Sequence, residues 1–197
     1  GFQSNVFGGT GFNLTNAGEE THKGFELDSM FALSENLAIG VSAMYIDAIY
    51  DSFLNGTCDT TGLAEPEYAC PAGQRTLDLS GRSPAGIHQL SYNINATYNF
   101  AVSAGVDGFV RVEYLHEKDV RLADLIPFSI ANRGSDNLNA SLGFSSDNGG
   151  WDAMLWGRNL TDHKSLISAF PTPAQPGSFS GYPNAPRTYG LTLRKNF

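Results

Sequence analysis

The residues able to do chemistry in this 197-residue chain are few and scattered. Four histidines, His22, His88, His116 and His163, stand far apart and mostly at or beside polar segments. No H-E-x-x-H or C-x-x-C spacing joins them, so they do not form a recognisable metal-ligand set. Ser, His and Asp are plentiful, but no G-x-S-x-G nucleophile elbow presents a serine. Glu65 and Glu67 flank Pro66 in a stretch rich in turn formers, which reads as solvated loop in preference to paired carboxylates for acid–base work. The glycine-rich "GGTG" and "NGG" are turns, because no helix follows to cradle a phosphate. Asn13, Asn55, Asn95, Asn139 and Asn159 each begin an Asn-x-Ser/Thr triplet. Composition explains these better than glycosylation, since Asn95 and Asn139 fall mid-strand. No catalytic residue, metal ligand or cofactor site is expected, and the chain does not read as an enzyme.

Cys58 and Cys70 are the two cysteines, both in one Gly/Pro/Thr-rich segment. A close pair in a polar loop points to a local disulfide in an oxidising compartment; the alternative is two free thiols. Net charge is −8 with no basic stripe, which argues against a nucleic-acid partner. The opening "GFQSNVFGG" has neither a charged nor an apolar leader region, as expected of a mature form or of a piece of a longer chain.

The elements that carry these residues announce themselves by period. In "HQLSYNINATYNF", Leu90, Tyr92, Ile94, Ala96, Tyr98 and Phe100 alternate without error with Gln89, Ser91, Asn93, Asn95, Thr97 and Asn99. That is about twice the length of an ordinary globular strand. The same alternation recurs in "KGFELDSMFAL", from Leu37 to Tyr45, in "GFVRVEYLHEKDV", in "SDNLNASLGFS", more loosely in "WDAMLWGRNL", and from Tyr189 to the end. No stretch keeps a 3.6-residue period. About eight strands are predicted, the first of them truncated. Connections alternate too. "SENL", "AVSAGVDG" and "SSDNGG" are short, whereas Gly8–His22, Phe53–Gly86, Leu122–Arg133 and Thr161–Ala185 are long. Short turns at one end and long loops at the other fit an antiparallel transmembrane β-barrel, whose strands hide hydrophobicity by interleaving lumen-facing polar residues; hence a mean hydropathy of only −0.20. A soluble antiparallel sandwich explains the alternation equally well, but the strand lengths and the loop asymmetry less well.

On the polar parity lie Glu26, Asp28, Arg111, Glu113 and Arg158. They are expected to face the lumen as a hydrated wall, or to touch a plug or a passing solute. Tyr68, Arg75, Phe170, Phe179 and Tyr182 fall in the long loops and are candidates for ligand contact.

The last 47 residues carry a more specific signal. Asn159-Leu160-Thr161-Asp162, then a long loop, then Pro186-Arg187-Thr188-Tyr189-Gly190 and Phe197 resemble the C-terminal end of TonB-dependent outer-membrane receptors. Gly24 and Glu26 resemble that family's recurrent Gly-x-Glu strand start. The resemblance implies that residues 1–197 are the C-terminal portion of a 22-stranded barrel in the bacterial outer membrane, without the plug domain. It implies uptake of a scarce solute such as an iron chelate, cobalamin or a glycan. The partners it implies are the remaining strands and the plug of the same receptor, outer-membrane lipid, and the barrel-insertion machinery, read through Phe197. The TonB complex would act only through the missing plug. The alternative from another class is a closed eight-stranded outer-membrane barrel with a structural or adhesive role. Pairing of the first strand with the last would mark such closure.

Overall fold

The computed structural model describes residues 2–7, 12–59, 62, 65–124, 126–129, 132–146, 148–172, 174–175 and 177–195. Its strands are β1 (Phe2–Phe7), β2 (Phe12–Ala32), β3 (Leu37–Ser52), β4 (Gly56–Thr57), β5 (Thr76–Leu77), β6 (Leu90–Ser103), β7 (Val106–Arg121), β8 (Asn132–Ser146), β9 (Trp151–Arg158), β10 (Leu166–Pro171), β11 (Phe179–Pro183) and β12 (Thr188–Lys195). One 3-10 turn, Pro66–Tyr68, interrupts the longest loop. No helix among the described residues is long and apolar enough to cross a membrane. Phe197 lies outside the described residues.

Eight strands join in the order β1-β2-β3-β6-β7-β8-β9-β12, each antiparallel to its neighbour. β1 pairs only with the outer part of β2, so seven strands make the main sheet. The sheet is open. Among the described residues β12 pairs with β9 alone and not with β1, so the pairing that would close an eight-stranded barrel is not formed.

Register turns the alternation of single strands into two continuous faces. Leu37, Tyr98, Val110, Leu142, Leu155 and Leu191 lie side by side across six strands. One residue further along β6, Thr97, Arg111, Ser141, Trp156 and Gly190 form the corresponding row on the other face. Adjacent strand residues project oppositely, so the shared parity keeps the first row apolar and the second polar apart from Trp156 and Gly190. Two glycines keep the polar face closely packed. A Cβ at Gly143 would lie 2.2 Å from the ring of its cross-strand partner Phe109, and one at Gly190 would lie 2.6 Å from the ring of Trp156. Each aromatic ring covers the backbone its glycine partner leaves bare.

The first long connection differs from expectation. Residues 12–22 of the predicted loop Gly8–His22 are strand, extending β2 to 21 residues. The segment lacks alternation because ladder hydrogen bonds do not require an apolar face; β1 and β3 supply the partners. The other three long connections lie at one end of the sheet as expected, two of them carrying the ribbons β4–β5 and β10–β11. The opposite end holds 33–36, the two-residue turn Ala104-Gly105, and 148–150. Gly105 at φ 75° supplies the left-handed residue that this tight hairpin needs.

Packed cores sit at the loop end. Tyr50, Phe53, Tyr68 and Leu79 form one, and Ile126 and Ala169, with Leu166 and Phe179 against them, form the other. Among the described residues no layer covers the apolar face of the sheet. Phe25, Leu27, Phe31, Leu155, Leu191 and Leu193 each expose half or more of their surface.

Candidate functional site

The polar face places all five predicted lumen residues on one side of the sheet but in two groups. Arg111, Glu113 and Arg158 border one shallow depression of about 400 Å³ with Ser141, Trp156 and Thr192. Glu26 and Asp28 border another, with Ser42, Ser91 and Asn93. The first group is cross-linked. Arg111 Nη2 meets Glu113 Oε2 at 3.4 Å, Asn93 Nδ2 donates to Glu113 Oε1 at 3.3 Å, and Asn95 Nδ2 donates to Asn93 Oδ1 at 3.4 Å. The guanidinium of Arg158 stands 5.3 Å from the Trp156 ring, whose indole N–H donates to the Thr192 hydroxyl at 3.1 Å. Such a wall can hydrogen-bond water or a polar solute. Nothing in it pairs a nucleophile with a base.

The apolar face is banded. At the loop end Phe25 stacks on Tyr45 at 5.6 Å, and Tyr92 contacts Tyr114 at 6.1 Å and His116 at 4.9 Å. His116 Nδ1 and the Tyr114 hydroxyl both meet Asp136 Oδ1, at 2.8 and 2.7 Å. At the turn end Tyr98, Phe100 and Phe144 form a second ring cluster. Between the clusters the face is aliphatic: Val41, Ile94, Leu138, Val112 and Ala140. From Tyr92 to Phe100 β6 runs nine residues, the ~9–11 that a tilted strand needs to cross a bilayer.

The two C-terminal motifs meet in space. Asn159 is buried, with φ 49°. Its Nδ2 donates to the carbonyls of His163 (2.9 Å) and Ala185 (3.0 Å), and its Oδ1 accepts from the His163 N–H (2.9 Å) and the Thr161 hydroxyl (3.2 Å). Its own N–H donates to Asn139 Oδ1 at 3.0 Å. Asn184 reinforces the joint by donating to the His163 carbonyl at 2.9 Å. Asp162 pairs with Arg187 at 3.7 Å. The motifs therefore pinch the neck of the loop between β9 and β12. Asn suits the corner because it tolerates the left-handed region and carries both a donor and an acceptor. Sequence reasoning noted Asn159 only as a motif letter and a glycosylation triplet; its burial leaves no room for a glycan.

The loop residues divide. Arg75 is exposed. Phe170 and Tyr182 stand 6.2 Å apart on the β10–β11 ribbon, with Tyr182 well exposed. Phe179 packs inward on the cluster of Ile126 and Ala169. Tyr68 is buried, its ring between the guanidiniums of Arg121 (3.7 Å) and Arg82 (4.8 Å). Its segment is joined to the opposite limb by the Cys58–Cys70 disulfide, which the structure contains as expected. Backbone hydrogen bonds from Asp59 N to Tyr68 O (2.7 Å) and from Cys70 N to Asp59 O (2.9 Å) zip the two limbs together.

Beside this core, Asp124 is hydrogen-bonded to the Tyr50 hydroxyl. Burial raises its carboxyl above the usual carboxylate range, outweighing the Arg121 guanidinium that pulls it down. A carboxylate raised in the folded state stabilises the fold fully only below its unfolded pKa, and that contribution fades as pH climbs through the folded value. Asp124→Asn is therefore expected to raise the melting temperature at neutral pH, with the gain shrinking as pH falls toward 3.8, the ordinary value. Thermal melts of both proteins across that range check it; an unchanged or lower neutral-pH melting temperature counts against the assignment.

No protein-family model matches the chain, and no curated protein matches it at a significant level.

Proposed function

We propose that the chain is part of the barrel wall of a TonB-dependent outer-membrane transporter that imports a scarce solute such as an iron chelate, cobalamin or a glycan. The observation that carries the membrane half of this reading is the uncovered apolar face, aliphatic in its middle and aromatic at both ends. In water such a face demands a second layer; in a bilayer it is the lipid surface, with its girdles at the two interfaces. Packed cores confined to the loop end agree, since loops there stand in water and must bury their own apolar residues. The transporter half rests on the motif resemblance, supported by the meeting of Asn159-Leu160-Thr161-Asp162 with Pro186-Arg187-Thr188-Tyr189-Gly190 at the loop neck.

The open sheet adds a physical requirement. Each bare backbone group of β12 or of the opposite edge costs several kcal/mol in hydrocarbon. Further strands of the same receptor are the partners this reading assigns to those edges. The plug and, through it, the TonB complex face the polar wall of Arg111, Glu113 and Arg158. The reading includes no catalytic step.

Spin labels test it. A label at Ile94 is expected to be quenched by a lipid-borne relaxer and shielded from an aqueous one, and a label at Asn95 the reverse. Aqueous access at both positions would overturn the membrane reading. In cells producing the full-length protein, solute uptake should stop when the proton-motive force is collapsed; uptake that survives would overturn the TonB coupling.

A further inference from the structure

A feature apart from the wall stands at the loop end. Segment 65–70 is fastened to its own loop by the Cys58–Cys70 bond and the two backbone hydrogen bonds to Asp59. It reaches a different loop by other contacts. Glu65 Oε1 accepts the Phe128 N–H at 2.6 Å, Glu65 Oε2 stands 3.6 Å from Arg121 Nη2, and the Tyr68 ring lies 3.7 Å from the Arg121 guanidinium. Tyr68, Arg121 and Phe128 also line a cavity of about 390 Å³, together with Ile46, Ala48 and Gln89. The segment thus spans from one loop to the next across the edge of a cavity.

We propose that segment 65–70 is a redox-gated clasp: the disulfide holds Glu65 and Tyr68 against Arg121 and Phe128, and its reduction releases them and opens the cavity between the loops. The physical reason is loop entropy. With the bond closed, Glu65 and Tyr68 are held within a short ring and meet their seats at high effective concentration. With the bond cut they belong to the larger loop closed by the β4–β5 ribbon, a longer and looser tether. The ring contact is buried, the ion pair is partly solvated, and both hang on the same tether, so losing it weakens them together. The chemistry needs a dithiol: it transfers two electrons and two protons to the Cys58–Cys70 bond, leaving two thiols, and itself closes to a cyclic disulfide. The clasp does not depend on what the sheet transports, only on the loops being exposed to water.

The test is amide hydrogen exchange on the full chain in detergent, with dithiothreitol as the dithiol. Reduction is expected to speed exchange at the Phe128 amide at least tenfold while β3 and β7 keep their protection. A Cys58→Ser/Cys70→Ser double variant should behave as the reduced protein without reductant. Tyr68→Ala should speed Phe128 exchange with the disulfide intact, and Glu65→Gln, which keeps an acceptor but loses the ion pair, should do so less. Unchanged Phe128 exchange in a chain shown by mass to have gained two hydrogens would overturn the proposal. So would loss of protection spread over β3 and β7, or a response to reductant that the double serine variant does not reproduce.

Discussion

Replacing Asn159 by alanine is expected to destabilise the protein by about 3–5 kcal/mol. The Ala185 carbonyl and the His163 N–H lose their buried partner, at roughly 1–3 kcal/mol each. Alanine held at φ 49° adds up to about 1 kcal/mol, because it has the same Cβ as Asn but no polar side chain whose local hydrogen bonds offset the left-handed crowding. The His163 carbonyl is less affected, since Asn184 still donates to it. Two further variants separate the contributions. Asn159→Asp keeps the two acceptor contacts but turns a buried carboxylate oxygen onto the His163 and Ala185 carbonyls, so it should cost at least as much as alanine. Asn159→Gly keeps only the backbone freedom and should fall between wild type and alanine. Urea unfolding in lipid vesicles measures the series. An alanine variant within about 1 kcal/mol of wild type would mean that the neck is held by the strands alone, without the clamp.

Ile94→Arg is expected to cost about 1–3 kcal/mol of folding into bilayers, the penalty for a cation on the lipid face between the interface and the midplane, since Ile94 lies two residues inside Tyr92. Ile94 pairs with Val41 on one side and Tyr114 on the other, at the inner edge of the loop-end aromatic cluster, where the Tyr114 hydroxyl is already taken by Asp136. Asn95→Arg should cost far less. Its cross-strand partner is Glu113, on the hydrated face, where a new cation finds both water and a carboxylate. Stability alone would rank the two variants the same way in a soluble sandwich. The bilayer separates the readings: the gap between the variants should widen when folding is into vesicles of thicker hydrocarbon and narrow in thin ones. A gap indifferent to lipid would sink the membrane assignment while leaving the two-faced sheet intact.

These two predictions concern different parts of one design. The sheet is held by ladder hydrogen bonds and needs little from its faces, so its apolar side is available to lipid. The loops carry only the short ribbons β4–β5 and β10–β11 and are fixed at their necks by side chains: Asn159 at one, and Tyr68 with the disulfide at another. A change at Ile94 should therefore act through solvent, and a change at Asn159 through geometry.

What the sequence determined by itself was everything that depends on period two. Strict alternation from Leu90 to Phe100 specifies a long strand with two chemically opposed faces. The same parity in its neighbours specifies the apolar row from Leu37 to Leu191, because a one-residue slip would turn every side chain over. The Cys58–Cys70 bond was legible for a similar local reason, two cysteines a short loop apart. Tertiary structure decided whatever rests on contacts between segments distant in the chain. Periodicity says nothing of where Asn159 meets Ala185, of Tyr68 lying between Arg82 and Arg121, or of Phe179 turning inward while Tyr182 stays exposed. It also missed the extension of β2 through residues 12–22, because a ladder closed by backbone groups leaves no mark on side-chain pattern.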